Sequence, residues 1–162
     1  MSRPSTAAIR PACSADLDIV WTITADAYAP YEATIGIVPL PVVEDYGPRI
    51  ERGEVWLLGE GDGIAGLIVL EEKPDHLLIY SIAVRPDRQG LGHGRALLDF
   101  ADRRAREIGV PEVRIYTNQR MERNIALYRR SGFVVVGTRA HPTRAAHVVV
   151  DMAKTIGLKR SS

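Results

Sequence analysis

Residues 76–84, His-Leu-Leu-Ile-Tyr-Ser-Ile-Ala-Val, form a long, nearly continuous apolar run that leads into Arg-Pro-Asp-Arg-Gln-Gly-Leu-Gly-His-Gly at 85–94. A run of this kind is expected of a central strand buried on both faces. Gly90, Gly92 and Gly94 stand at alternate positions after it. Glycine weakens strands and helices alike, so the chain needs permissive backbone there. Beyond the glycines, Leu97, Leu98, Ala101, Ala105 and Ile108 recur at helical spacing, with Arg95, Asp99, Asp102, Arg103 and Arg106 filling the other face. The pattern predicts a helix over about 92–108. Strand, loose turn and helix N-terminus in direct succession require a fold that packs helices on a sheet.

That succession also suits an anion. The first N–H groups of a helix have no internal partner, and the helix dipole favours negative charge there by roughly 0.3–2 kcal/mol. The two familiar phosphate loops do not fit. A Walker loop ends Gly-Lys-Ser/Thr, whereas Gly94 precedes Arg95 and Ala96. The dinucleotide pattern Gly-x-Gly-x-x-Gly places Arg95 or Leu97 where its third glycine belongs. A bare tight turn and a phosphate cradle of another kind both remain open on spacing alone.

The rest of the chain supplies further elements. Ala-Ala-Ile-Arg-Pro-Ala-Cys at 7–13 reads as a short strand, followed by a helix with Ser14 as N-cap and Leu17, Val20, Trp21 and Thr24 to Tyr28 in register. The prolines between Pro30 and Pro41 predict a loop, and a second helix is expected from about Val42 to Arg52. Two apolar runs flanking Gly-Asp-Gly at 61–63 predict a hairpin. Gly109 and Pro111 end the 92–108 helix; a strand at 112–118, a helix near 121–131 and a final strand pair around His141 and Pro142 follow. The order predicts an α+β domain in three layers, a mixed and mostly antiparallel sheet with helices on both faces. One domain is expected over residues 1–158, with 159–162 as a frayed tail.

Gln89-Gly90-Leu91-Gly92-His93-Gly94 resembles the Q/R-x-x-G-x-G/A motif of the GNAT N-acetyltransferase family, and so do the lead-in Ser-Ile-Ala-Val-Arg-Pro-Asp-Arg-Gln-Gly and the continuation Gly-Arg-Ala-Leu-Leu-Asp-Phe-Ala. The likeness extends along essentially the whole order of elements. It implies a GNAT acyl-CoA acyltransferase-like fold and acetyl-coenzyme A as cosubstrate, with no metal. By that resemblance, the amides of Leu91, Gly92, Gly94 and Arg95 cradle the pyrophosphate, with Gln89, Gly90 and His93 in the same turn. Backbone groups of Ile82 and Val84 pair with the pantetheine arm, and an N–H around Ala83 or Val84 polarises the thioester. The strands at 76–84 and 112–118 are expected to splay around it.

In Met-Glu-Arg-Asn-Ile-Ala-Leu-Tyr-Arg-Arg-Ser-Gly-Phe at 121–133, Asn124 and Tyr128 lie four residues apart and share a helix face, with Met121 one turn earlier. Spacing alone allows Tyr128 to be an amphipathic core residue. The resemblance implies instead that it protonates the departing coenzyme A thiolate. A phenol of pKa about 10 can serve a thiolate of pKa about 8–9 in this way. The commoner family pattern has asparagine seven and alanine four residues before the tyrosine; here those positions hold Met121 and Asn124. Asn124 then reaches the coenzyme from the same face, or is an exposed helical asparagine.

Direct attack of a primary amine, of a small molecule or of a protein, follows from this reading, with no acetyl-enzyme. Tyr80, Ser81, His76 and Asn118 are the side chains nearest the expected gap, and no single base stands out. Tyr28, Tyr31 and Tyr46, with Glu32, Glu44 and Asp45, suit a cationic amine; Tyr80 joins them as a candidate substrate contact. A non-catalytic acyl-CoA sensor would keep the glycine turn and have no need of Tyr128. Acids such as Asp99, Asp102, Glu107 and Glu122 break up the arginines between Arg103 and Arg130, and net charge is +1, so no nucleic-acid partner is expected. Cys13 is the single cysteine, and no apolar run approaches membrane-spanning length, so a soluble cytoplasmic protein is expected; monomer and homodimer stay open.

Overall fold

The apolar run at 76–84 becomes β4 (Leu77–Val84), the middle strand of a seven-stranded sheet of order β1-β2-β3-β4-β5-β7-β6. The computed structural model describes residues 8–144 and 146–157. The other strands are β1 (Ile9–Pro11), β2 (Val55–Glu60), β3 (Gly63–Glu72), β5 (Glu112–Asn118), β6 (Val134–Ala140) and β7 (Val148–Thr155). The helices are α1 (Leu17–Ile35), α2 (Leu40–Val43), α3 (Tyr46–Glu51), α4 (His93–Ile108) and α5 (Glu122–Arg130). Every strand pair is antiparallel except β4 with β5, as expected of a mixed sheet. The expected tail at 159–162 lies outside the described residues.

Two apolar layers hold the helices on. On one face, Leu97, Leu98, Ala101 and Ala105 of α4 pack with Tyr128 and Phe133 against β3, β4 and β5. On the other, Val20, Ile23 and Ala27 of α1 and Tyr46 and Ile50 of α3 pack against Leu57, Leu67, Val69 and Ala83. Gly66 allows β3 and β4 to close: a Cβ there would stand 2.7 Å from the Ala83 carbonyl oxygen. That neighbour is backbone and cannot swing away, so Gly66→Ala is expected to cost about 1–3 kcal/mol of folding free energy in urea denaturation.

The N-terminal third differs from expectation in three places. Ser14 opens a 3-10 turn (Ser14–Asp16) rather than capping a helix, and Asp16 accepts the Cys13 N–H at 2.8 Å while pairing with Arg10. Helix α1 runs through Pro30 to Ile35, where a loop was expected, and stops at Gly36. Proline in a helix interior costs about 3 kcal/mol, but Ala27 and Ile35, two turns apart, are both buried and keep the face in register. The expected 42–52 helix is divided: Glu44 is extended, and Asp45 caps α3 by accepting the Gly47 N–H at 3.1 Å.

The sheet opens at one residue. In the β3–β4 ladder Val69 pairs with Ser81 and Leu70 with Ile79, so Tyr80 is an extra residue on β4. Such a bulge bends and twists its strand. The β4–β5 register correspondingly covers only Leu77–Ile79 against Val113–Ile115. Past that point β4 and β5 part, as expected. The bulge also shifts side-chain parity: Ile79 faces the α4 layer, Tyr80 and Ala83 the α1 layer, and Ile82 and Val84 the α4 layer again.

Candidate active site

The parting of β4 and β5 leaves strand edge unpaired. Backbone groups alternate sides along a strand, and the Arg85 N–H bonds Ala65 of β3 at 2.8 Å. Arg85 and Ala83 therefore point their N–H and C=O groups at β3, and Ile82 and Val84 point theirs into the gap. This corrects the expectation for Ala83: it lines the groove but directs its amide at Leu67, its register partner.

The glycine turn sits at the top of this edge. Gly92 (φ +87°) caps α4, and the Ala96 N–H is the one that bonds back to the Gly92 carbonyl, at 3.0 Å. The amides of His93, Gly94 and Arg95 precede it in the first turn, where a helix has no acceptors of its own. The side chains of the turn are bracing. His93 Nε2 meets Glu60 Oε2 at 2.8 Å and Arg88 Nε meets Glu60 Oε1 at 2.7 Å, tying the turn to the end of β2. Gln89 Nε2 donates to the Val84 carbonyl at 3.1 Å, while the Ile82 N–H faces the Tyr28 hydroxyl, so the Val84 N–H and the Ile82 carbonyl are the groups left open on this edge. The His93 imidazole is thus held on Glu60, and Leu91 projects into solvent at the turn's outer edge, 62% exposed.

Between this turn, β4 and α5 lies a groove of about 530 Å³, whose walls include Gln89, Gly90, Gly92, Gly94 and the guanidinium-bearing Arg95, Arg123 and Arg130. A second cavity, of about 130 Å³, fills the gap between β4 and β5 under α1 and the segment leading to α2. Tyr31, Ile82, Asn124 and Tyr128 line both, so the two volumes meet at these four residues. Tyr128 is 5% exposed and packs edge-on to Phe133, with ring centroids 6.2 Å apart. Burial pushes its hydroxyl well above the usual tyrosine value, so it is a proton donor across the neutral and alkaline range. Asn124 Oδ1 accepts the Tyr31 hydroxyl at 2.9 Å, bridging α5 to α1 across the junction.

Three of the four expected acceptor tyrosines reach the cavity. Tyr28 and Tyr31 stack edge to face at 5.4 Å, and the Tyr28 hydroxyl lies 3.3 Å from Ser81 Oγ. Burial raises Tyr28 to about 12, against the pull of the Ser81 hydroxyl. Tyr80 donates to Glu44 Oε2 at 2.7 Å; burial first, and then that carboxylate, raise it. Tyr46 does not reach the cavity. As the first residue of α3 it is 1% exposed in the core, with its hydroxyl on the Pro41 carbonyl at 2.6 Å. Glu44 is engaged by Tyr80 and Arg49, and Asp45 by its capping role, so the expected acidic lining is absent from the cavity walls among the described residues. His76 pairs with Asp75 at 2.7 Å at the opposite end of β4. Tyr116 and His141 also line the cavity. The alternation of β5 and the turn at 141 were visible in the sequence, but nothing there aimed them at this space.

A family model described as an acetyltransferase (GNAT) domain matches residues 51–135, the stretch that holds the hairpin, the bulged strand, the glycine turn and α5. The chain belongs to the GNAT acetyltransferase family. Among curated GNAT relatives, it is 31% identical over 93 residues to the uncharacterized N-acetyltransferase YvbK of Bacillus subtilis, covering 57% of this chain and 58% of that one. It is 43% identical over 60 residues to the mycothiol acetyltransferase of Propionibacterium freudenreichii, covering 37% of this chain and 19% of that one. The chain thus spans less than two thirds of the length of these curated relatives. The GNAT fold is shown by the ribosomal-protein-S18-alanine N-acetyltransferase of Escherichia coli, with TM-score 0.76 and 23% identity over 97% of this chain and 98% of that one. Among the described residues no helix is long and apolar enough to cross a membrane, and no cluster of three or more His, Cys, Asp or Glu is placed to hold a metal ion.

Proposed function

We propose that this GNAT protein transfers an acetyl group from acetyl-coenzyme A to a primary amine by direct attack. The observation that carries the reading is convergence: free first-turn amides of α4 and the unpaired Ile82–Val84 edge share one groove, and that groove meets the second cavity at the buried hydroxyl of Tyr128. The donor set fits the coenzyme. The amides of Gly94 and Arg95, helped by Arg123 and Arg130, suit a pyrophosphate, and a strand edge suits the two amides of pantetheine. The coenzyme brings an activated acyl group on sulfur; the residues position it and manage the protons.

In this reading the Val84 N–H, open on the unpaired edge, polarises the thioester carbonyl. The amine nitrogen forms its bond to the acyl carbon as the carbon–sulfur bond breaks, and sulfur leaves with that electron pair. Tyr128 gives sulfur a proton, and the proton lost from nitrogen returns to Tyr128 through water. No net charge is left on the protein. A protein that only sensed acyl-CoA would have no use for a second cavity beside a buried phenol.

Gly94→Trp tests the cosubstrate half of this reading. A Cβ at Gly94 meets only the Leu127 side chain, at 3.7 Å, so a side chain there fits the fold and fills the groove. Calorimetry is expected to show acetyl-CoA binding weakened by tenfold or more in the variant, about 1.4 kcal/mol or above. Equal binding by the two proteins would remove the groove from consideration.

A further inference from the structure

The walls of the 130 Å³ cavity narrow the choice of acceptor. Resting on the acetyl-transfer reading above, we propose that the acceptor is a primary amine carried on an apolar body about one ring in size, bound as its free base. Polyamines, aminoglycoside-like polycations and free amino acids are thereby the wrong substrates. An enclosed aliphatic cavity of about 150 Å³ accepts a benzene-sized guest; this half-open space, with Ser81, Thr117, Asn118 and Asn124 also in its wall, suits a single ring whose short arm carries the amine. The outer wall is aliphatic, from Ile35 to Pro41, and the inner wall is aromatic, with Tyr28, Tyr31, Tyr80 and Tyr116. The same apolar character continues outward: Val38, Leu40 and Val43 are 51%, 59% and 68% exposed.

Charge points the same way. The carboxylate that holds the Tyr80 hydroxyl, Glu44, is compensated by Arg49 at 3.3 Å, and Glu71 by Arg49 at 2.7 Å. On the far side stands a basic group: Arg120 and Arg144 lie near His147, whose imidazole is held low by burial and by these neighbours together with His141. A second ammonium on the acceptor would find no counter-charge among the described residues of the wall, and a carboxylate would find no guanidinium or lysine inside it.

The free-base requirement follows from the titratable groups that face the cavity. Tyr28, Tyr31, Tyr80, Tyr116 and Tyr128 are all raised by burial and stay protonated. The remaining one is His141, whose Nδ1 accepts the Thr143 backbone N–H at 3.2 Å. That lone pair is engaged by the backbone and is not available to an ammonium. The Nδ1 lone pair of His147 is engaged likewise, because Asn118 Oδ1 accepts the Arg120 N–H at 2.9 Å and so turns Nδ2 toward His147 Nδ1 at 3.0 Å. With no base in the wall, the amine loses its proton to water before it enters.

The test uses 2-phenylethylamine, aniline, spermidine and glycine, each titrated by calorimetry into the protein saturated with coenzyme A, and each assayed for thiol release from acetyl-CoA. The two aryl amines are expected to bind, and to be acetylated with kcat/KM on the order of 10² or more above spermidine and glycine, the cost of an unpaired charge in an apolar site. For 2-phenylethylamine kcat/KM is expected to rise tenfold per pH unit up to the pKa of the amine. Leu40→Glu, on the exposed rim, is expected to shift preference toward spermidine by about tenfold. Spermidine or glycine binding or reacting as well as the aryl amines, or none of the four binding, overturns the proposal. Aryl amines that bind selectively without being acetylated would leave the acceptor class standing and remove the acetyl-transfer reading.

Discussion

Phenylalanine in place of Tyr128 is expected to lower kcat for acetyl transfer by about 10² to 10⁴, the usual worth of a positioned proton donor. Acetyl-CoA binding should change little, because the ring and its contact with Phe133 remain. Folding stability should shift by less than about 1 kcal/mol: among the described residues no partner hydrogen-bonds the hydroxyl, so its removal leaves nothing unpaired. This pairing of outcomes separates the chemical role from a packing role, which would lower stability and leave kcat in place. The pH profile provides a further check. Because burial holds the phenol well above its ordinary value, the wild-type rate should show no decline near pH 10 from Tyr128 losing its proton. Steady-state kinetics at saturating acetyl-CoA, with calorimetry on the same preparations, measure all three; an unchanged kcat would take the proton-donor role away from Tyr128.

The largest structural effect is expected at Arg49. This guanidinium is 9% exposed and lies 2.9 Å from Glu54, 2.7 Å from Glu71 and 3.3 Å from Glu44, while stacking 3.9 Å over the Tyr80 ring. It ties α3 and the segment before it to β3 and to the bulge that opens the sheet. Arg49→Met keeps the bulk but leaves three carboxylates around an uncharged thioether. Removing one partner of a buried ion pair typically costs about 3–5 kcal/mol, and urea denaturation at neutral pH should register a loss of that size. The loss should shrink in acid. Burial alone would raise the Glu71 carboxyl, but Arg49 and Lys73 hold it below the usual value. Its contribution to wild-type stability is therefore present above the unfolded pKa of about 4.3 and disappears as pH falls through the lower folded value. In the variant the pull of Arg49 is gone and only Lys73 still opposes burial, so the same carboxyl stands higher than in the wild type and takes up its proton at a higher pH. A gap between the two proteins that stays constant from pH 7 to pH 4 would show that these carboxylates are not the source of the loss. Because Tyr80 loses its stacking partner, the acceptor KM should rise as well.

Helix α4 and the glycine turn could be read directly, because apolar spacing and alternate glycines are local properties of the chain. The same holds for the shared face of Asn124 and Tyr128 and for the hairpin at Gly61–Gly63. The course of α1 past Pro30 could not be read, since the local cost of proline is outweighed only by burial of Ala27 and Ile35 against partners distant in sequence. Tyr46 directly follows Glu44 and Asp45 in the chain whereas Tyr80 lies between Ile79 and Ser81, yet packing sends Tyr46 into the core and Tyr80 to the cavity and to Glu44.

The decisive case is β4. Its apolar run determined a central strand, and the glycines after it determined the open turn that starts α4. The bulge at Tyr80 depends on how β3 and β4 pair, and a single extra residue reverses which side chains and which amides face the gap. That reversal directs the backbone of Ile82 and Val84 toward the gap and that of Ala83 toward β3. Local sequence specifies strand and turn because backbone preference and hydrophobic periodicity act over a few residues; the register that opens the sheet is a cooperative property of strands that meet only in the folded protein.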